Sequence, residues 1–482
     1  MMQKYLQKHL WRSVYSLGAI AFTSGFVLMA FELVAARMLA PSIGNSVYVW
    51  TSVIGVIMAA LSLGYYLGGK MADRRHSRTD VAMLCFVAAL YMASVMYLFA
   101  PVMSMVTSWF GDQRLQGIIV ALVLFAPTSV LLGMMSPYLA KLSITSLQTS
   151  GQTVATLSAI NSIGSIAGTF VAGFLLFGMI GSRETLVVLI GVLVVSGWLL
   201  PSKERLREKI TVTVVLGGVM VLSLFHSSQQ VVDTPTASYR IVTYQNDDTR
   251  TVRGILAGPN GVQSGIYPDQ PNELVFWYTK ELARVVAAAP KKERMLVLGG
   301  GTYTLPRHLA ATYPTSQIDV VEIDPVMTDI ARQHFLYDDP TNITLHYTDA
   351  RVFVNEVTAQ YDVILVDVYN DASVPFSLLT HEYGQRVKKL LAKDGVVVVN
   401  AIAAAKGACQ PLYDAINGAY SDVSTLHYER FQNNASTRGN MILAYSKTPL
   451  ALPEYAKVHT NSQQRYTDNF MPAEALQQRC QA

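Results

Sequence analysis

Residues 294–324, RMLVLGGGTYTLPRHLAATYPTSQIDVVEID, decide the fold of the second half of this chain. A short apolar run (294–298) ends in three glycines. A helix-like stretch (303–312) follows, and a second apolar run (317–322) ends in Glu322. Apolar runs this short, bounded by turn residues, read as buried strands. The same alternation continues outward, with helix 325–336, strand 343–347, helix 350–357, strand 362–367, helix 379–391 and strand 395–400. It predicts an α/β domain over 291–482 built on a doubly wound, Rossmann-like, mostly parallel sheet. Further strands are expected near 424–429 and 440–446. Upstream, the runs 239–245 and 250–256 flank the turn Asn246-Asp247-Asp248, and a second turn at 258–261 leads into Val262-Gln263-Ser264. These predict a small antiparallel sheet, then a helix at 273–289, together occupying 237–290.

The first 230 residues have a different texture. The 482-residue chain is 51% hydrophobic and 15% charged, against about 25% charged in ordinary soluble proteins. That excludes a disordered chain and argues against a wholly soluble enzyme. Residues 1–230 carry 15 Lys and Arg against 7 Asp and Glu, and the remainder carries 22 against 26. The basic excess lies in short loops and gives no reason to expect nucleic acid as a partner. Apolar stretches at 14–40, 47–69, 81–105, 117–138, 153–178, 185–200 and 210–225 predict a bundle of seven transmembrane helices over 1–230, with the lipid bilayer as its partner. Positive residues mark the cytoplasmic side. Lys4, Lys8 and Arg12 precede the first stretch. Lys70, Arg74, Arg75 and Arg78 follow the second, Lys141 follows the fourth, and Lys203, Arg205, Arg207 and Lys209 follow the sixth. This pattern puts the N-terminus in the cytoplasm, and seven crossings then export the C-terminal half. Glu32 and Arg37, five residues apart, are placed to pair across helices rather than along one. Asn161, Ser162, Gly164, Ser165 and Gly168 read first as close helix packing and second as a polar path, and Gly64, Gly68 and Gly69 read as packing. Three cysteines (Cys85, Cys409, Cys480) are too few and too scattered for a disulfide framework or a zinc site.

Ligands of doubly wound sheets bind at the carboxyl ends of the strands. Gly299, Gly300 and Gly301 end the first strand of the α/β domain and let a ligand approach the backbone at a helix N-terminus. Glu322 ends the second strand, 21 residues after Gly301, an offset at which an acid commonly holds ribose hydroxyls. Asp349 follows the third strand and Asp367 ends the fourth. Asp324 and Asp349 read equally well as helix caps.

The stretches VLGGG (297–301), VVEIDPVM (320–327), YTDARVFV (347–354) and YDVILVDVYNDASVPFSLLTHEY (361–383) resemble spermidine synthases, the polyamine aminopropyltransferases. The resemblance extends through SYRIV (238–242) and GVQS (261–264). The N-terminal half resembles the multi-pass segment fused to such domains in bacteria, in SGFVLMAFE (24–32), SVYVW (46–50), GYYLGGKMAD (64–73) and NSIGSIAGTFVAGF (161–174). The resemblance implies a bacterial inner-membrane enzyme acting on small molecules. Its substrate would be S-adenosylmethionine or the decarboxylated form, with methylthioadenosine as product and no bound prosthetic group or metal. By position, Glu322 would hold the ribose hydroxyls. Asp349, with Ala350 and Arg351 beside it, would face the adenine amino group. Gln263 would contact the nucleoside or its propyl arm, and Asp367 would be the catalytic acid that accepts hydrogen bonds from the attacking amine.

Two departures fall on the acceptor side, where Tyr278 is also expected. The resemblance calls for an Asp after the three glycines and for a second Asp three residues after the catalytic one; here they are Thr302 and Asn370. Losing two carboxylates weakens the attraction for a diamine, and Asp371 is not aimed to replace them. The nucleoside half of the site is retained and the amine half is degraded. Aminopropyl transfer therefore competes with cleavage of S-adenosylmethionine to a lactone and methylthioadenosine without an acceptor, with methyl transfer, and with a transporter or sensor gated by the nucleotide domain. The side of the membrane that holds the C-terminal domain stays open, with a lean to the periplasm, and so does assembly into a homo-oligomer.

Overall fold

The computed structural model describes residues 2–43, 47–75, 77–144, 146–200, 205–225, 231–234, 236–257, 261–369, 374–424, 426–459 and 465–481. The chain divides into two compact units, Met1–Tyr239 and Arg240–Ala482.

The first unit is helical. Among the described residues, six helical spans are long and apolar enough to cross a membrane: Tyr15–Ala40, Val49–Arg74, Arg78–Trp109, Arg114–Ser143, Ser150–Met179 and Gly181–Leu199. The expected seventh stretch is also helical, over Leu206–Phe225, but its first turn is charged by Arg207, Glu208 and Lys209, and it is not among the six. A short strand, β1 (Val231–Asp233), follows it. Small residues set the packing. A Cβ on Gly164 or Gly168 would lie 2.1 or 2.2 Å from the carbonyl oxygen of Phe22 or Phe26, so the first and fifth spans touch backbone to backbone. Asn161 Nδ2 closes that seam by donating to Ala21 O at 3.0 Å and to Ser24 Oγ at 3.1 Å. Asn161, Gly164 and Gly168 of the polar cluster thus take part in helix packing. Glu32 and Arg37 do not pair. Arg37 donates to the carbonyls of Thr234 and Ala237 and lies over the Phe177 ring, while Glu32 Oε2 is buried with no hydrogen-bond partner among the described residues.

Three antiparallel strands follow across the unit boundary and into the second unit, β2 (Ser238–Gln245), β3 (Thr251–Leu256) and β4 (Ser264–Ile266). The turn expected at 258–261 lies largely outside the described residues. Helix Trp277–Ala288 leads into the main sheet. Its strands are β5 (Arg294–Leu298), β6 (Gln317–Glu322), β7 (Ile343–Tyr347), β8 (Tyr361–Val366), β9 (Leu391–Ala403), β10 (Leu426–Phe431), β11 (Gly439–Ser446) and β12 (Ala456–His459), in the order β12-β10-β11-β9-β8-β5-β6-β7. Strands β9, β8, β5, β6 and β7 run parallel, and β11, β10 and β12 extend the sheet antiparallel. The central strands are buried on both faces: Met295, Leu296, Val297 and Leu298 are each 0% exposed, as expected where helices cover both faces.

Two helices, Gln410–Tyr420 and Ala473–Gln481, were not expected. They bring together the two cysteines that the sequence seemed to scatter: Cys409 and Cys480, 71 residues apart, form a disulfide. Spacing along the chain carried no sign of it, because the pair meets only when the last helix packs beside Gln410–Tyr420. Cys85 is free and buried in the helical unit.

Candidate functional site

From β5 the chain builds outward through β6 to β7 on one side, and through β8 to β9 on the other. The strand order therefore reverses between β5 and β8, which is where sheets of this kind bind ligands. Gly299 follows β5 and Asp367 follows β8. The Asp367 N–H donates to Leu298 O at 2.9 Å. Gly299 has φ +96°, and a Cβ there would lie 2.1 Å from the carbonyl oxygen of Asp367, so only glycine fits at the switch point.

Glu322, at the end of β6, folds over this turn. Its Oε2 accepts from Gly300 N and Gly301 N, both at 3.0 Å, and Oε1 accepts from Asp324 N at 3.0 Å. Burial raises its pKa, and the three backbone N–H bonds oppose that rise. The carboxylate is thus fixed in place, with both acceptor directions of Oε2 filled by the glycine turn and one direction of Oε1 left for a ligand hydroxyl.

Asp367 lies at the end of β8, on the other side of β5 from Glu322. Burial pushes its pKa up to about 6, opposed by a hydrogen bond from Asn400 Nδ2 at 2.9 Å. Tyr278 and Tyr369 are electrostatically coupled to it. Both phenols are held well above their usual pKa, first by burial and then by the charge on Asp367. Tyr278 Oη donates to Gln263 O at 2.8 Å, which ties Gln263 to this wall, whereas the buried hydroxyl of Tyr369 has no hydrogen-bond partner among the described residues.

Thr302 is 1% exposed and lies within a group of hydroxyls, with Ser264 Oγ 2.6 Å from Thr302 Oγ1 and 3.2 Å from Thr304 Oγ1. Where the resemblance calls for a carboxylate, the chain has a neutral, internally hydrogen-bonded cluster. Asp349 caps helix Ala350–Glu356 through Oδ1, which accepts from Arg351 N at 2.7 Å and Val352 N at 3.2 Å. Ala350 is buried in the first turn. Arg351 turns away from the strand ends, to Ser377 O, Thr380 Oγ1 and Asp468 Oδ2. Asn370 and Asp371 lie outside the described residues.

Asn400, Tyr369 and Ser264 were not singled out from the sequence. Asn400 alone left a signal, as a polar residue near the end of the apolar run VVVVN (396–400).

Residues 275–407 match the spermine/spermidine synthase domain. The C-terminal unit carries a spermine/spermidine synthase domain. A polyamine aminopropyltransferase of Vibrio vulnificus is 34% identical over 187 residues, covering 38% of this chain and 61% of that protein. Putrescine N-methyltransferase 2 of Nicotiana tabacum is 34% identical over 135 residues, covering 26% of this chain and 37% of that protein. The chain therefore spans less than two thirds of either relative's length. Among solved structures, the spermidine synthase of Thermotoga maritima is 16% identical, covers 50% of this chain and 84% of that one, and has a TM-score of 0.34.

Proposed function

We propose that the C-terminal unit binds S-adenosylmethionine or its decarboxylated form and displaces methylthioadenosine from it, as a membrane-anchored transferase of the aminopropyl type. The observation that carries this reading is the pairing of two acids across the β5/β8 switch point. Glu322 is held on the glycine turn by three backbone N–H groups, and Asp367 is poised at about 6 two strands away, on the far side of β5. In this reading Glu322 holds the ribose diol, Asp349 takes the adenine amino group through its second oxygen, and Gln263 lines the path of the transferred arm. Displacement at carbon beside a sulfonium needs orientation, water exclusion and a base more than leaving-group activation. Asp367 supplies the base, and Tyr278 and Tyr369 line the acceptor side.

A second reading is favoured by the neutral Ser264–Thr302–Thr304 cluster, which gives a cationic diamine no carboxylate to meet. In it the methionine carboxylate attacks its own γ-carbon, the C–S bond breaks, and homoserine lactone and methylthioadenosine leave without an external acceptor. Mass spectrometry separates the two, using purified protein with S-adenosylmethionine or its decarboxylated form, with and without putrescine. An aminopropylated amine supports the first reading, and methylthioadenosine with lactone from S-adenosylmethionine alone supports the second. Absence of methylthioadenosine in every mixture overturns both.

The helical unit is proposed as an anchor in the bacterial inner membrane with its N-terminus in the cytoplasm, supported by the six apolar spans and the alternation of basic loops.

A further inference from the structure

We propose that the chain crosses the membrane seven times, so that the C-terminal unit works in the thiol-oxidising space opposite the N-terminus, where Cys409 and Cys480 are joined. This rests on the membrane anchoring proposed above and is independent of which reaction the unit performs.

The seventh crossing follows from contacts at the two ends of the sixth span, Gly181–Leu199. Near its C-terminal end, Lys209, from the start of helix Leu206–Phe225, donates Nζ to Gly197 O at 3.2 Å and to Leu200 O at 3.0 Å. At its N-terminal end, Asp233, just beyond the same helix, accepts from Ser182 N at 2.6 Å. Lys209 and Asp233 thus lie at opposite ends of the sixth span, and the helix between them packs on the third span, where Tyr97 Oη donates to Val219 O at 2.8 Å. With 20 residues the helix is about 30 Å long, enough to cross the hydrocarbon core. Arg37 makes the same assignment independently. It lies near the C-terminal end of the first span, over Phe177 near the end of the fifth, and it donates to the carbonyls of Thr234 and Ala237. The ends of spans one and five, the start of span six and residues 233–237 therefore share one face. The basic residues before span one and in the connections after spans two, four and six belong to the other. The chain enters its second unit at Arg240 from the face opposite its N-terminus.

The disulfide speaks for the same face on different grounds. Cys409 and Cys480 are only 5% and 7% exposed and sit among Leu412, Ala473 and Leu476. Joining them removes two protons and two electrons. These pass to the disulfide of a thiol-exchange oxidant, which leaves as a dithiol. Such bonds persist in the periplasm and are rare in a glutathione-reduced cytoplasm. A sulfonium substrate, being permanently charged, would then have to be delivered to this face by a carrier rather than through lipid.

The test uses the full chain carrying Cys85→Ala, which leaves only the two cysteines in question. Cells are quenched in acid, and the protein is denatured and treated with a polyethylene-glycol maleimide before or after reduction. No label before reduction and two labels after it are expected in normal cells, with two labels before reduction in cells lacking their periplasmic thiol oxidant. Alkaline phosphatase fused after Ala482 should be active, and green fluorescent protein at the same place dark. Free thiols in normal cells, or a fluorescent fusion, overturn the proposal. If Cys85→Ala does not accumulate, the natural chain gives one label before reduction and three after. A protein that releases no methylthioadenosine would still give these readouts, so the two proposals fail separately.

Discussion

Asn400 Nδ2 donates to Asp367 Oδ1 across 2.9 Å, from a side chain that is itself 3% exposed. Asn440, on the adjoining antiparallel strand β11, donates to Asn400 Oδ1 at 3.5 Å, which fixes the amide with its N–H toward the acid. The bond favours the charged form of a carboxylate whose burial has already raised its pKa to about 6. Methylthioadenosine release should therefore fall on acidification, with a midpoint near 6. Asn400→Ala should move that midpoint upward, while a purely structural loss would lower the rate at every pH. Asp367→Asn should keep nucleoside affinity within a few-fold and slow release about a hundredfold or more. A wild-type rate in that variant removes Asp367 from the chemistry.

The same shift predicts a stability profile. The folded value lies above the ordinary 3.8, so the native state holds this proton more tightly than the unfolded chain does. The contribution is full below about 4 and is lost as pH rises through about 6. Thermal denaturation across this window should show Asp367→Asn free of that loss, and more stable than the natural protein at neutral pH relative to their difference at pH 4. Parallel curves for the two proteins would show that Asp367 is not raised.

Glu322→Ala should weaken methylthioadenosine binding by about tenfold or more, since a charge-assisted bond from a ribose hydroxyl is worth about 1.5–3 kcal/mol. Calorimetry reads this directly. The variant also strips an acceptor from Gly300 N and Gly301 N, so Glu322→Gln, which keeps an acceptor oxygen, should lose less. Unchanged affinity in Glu322→Ala would show that the acid serves only the turn.

Putrescine at millimolar concentration should be a poor acceptor, because Thr302 offers it a hydroxyl already engaged with Ser264. The double change Thr302→Asp and Asn370→Asp should improve amine use, provided the new carboxylate at the 1%-exposed position 302 finds a cation. Efficient spermidine formation by the natural chain would reverse this reading of the departures.

The parallel strands were legible because they are apolar runs bounded by turn residues, and Glu322 and Asp367 were legible because they end such runs; the largely exposed edge strand β12, AKVH, was not. What the sequence hid was tertiary. Asn400 matters through a side-chain contact with Asn440 on the strand paired with its own, and Cys409 meets Cys480 only through a terminal helix whose apolar face, Ala473 and Leu476, is too short to stand out. The start of helix Leu206–Phe225 was hidden for another reason. Its first turn is charged, so hydropathy alone starts it at 210, whereas Lys209 is buried by satisfying the carbonyls of Gly197 and Leu200.

Gly299 tests whether the two strand ends act together. Alanine there would have to hold φ +96°, and its Cβ would press on the carbonyl of Asp367, 2.1 Å away. Left-handed strain and overpacking each cost about 1–3 kcal/mol, and relief can come only by moving β5 and β8 apart. Gly299→Ala should therefore lower thermal stability and, in whatever fraction folds, slow methylthioadenosine release more than it weakens nucleoside binding, because Asp367 is displaced while Glu322 stays on its turn. Gly407→Ala is the control. Its φ is +68° but no heavy atom lies within 4 Å of the added carbon, so it should cost only the backbone penalty of about 1–2 kcal/mol and leave the ratio of rate to affinity unchanged. If Gly299→Ala behaves like Gly407→Ala, the close contact at the switch point does not position Asp367.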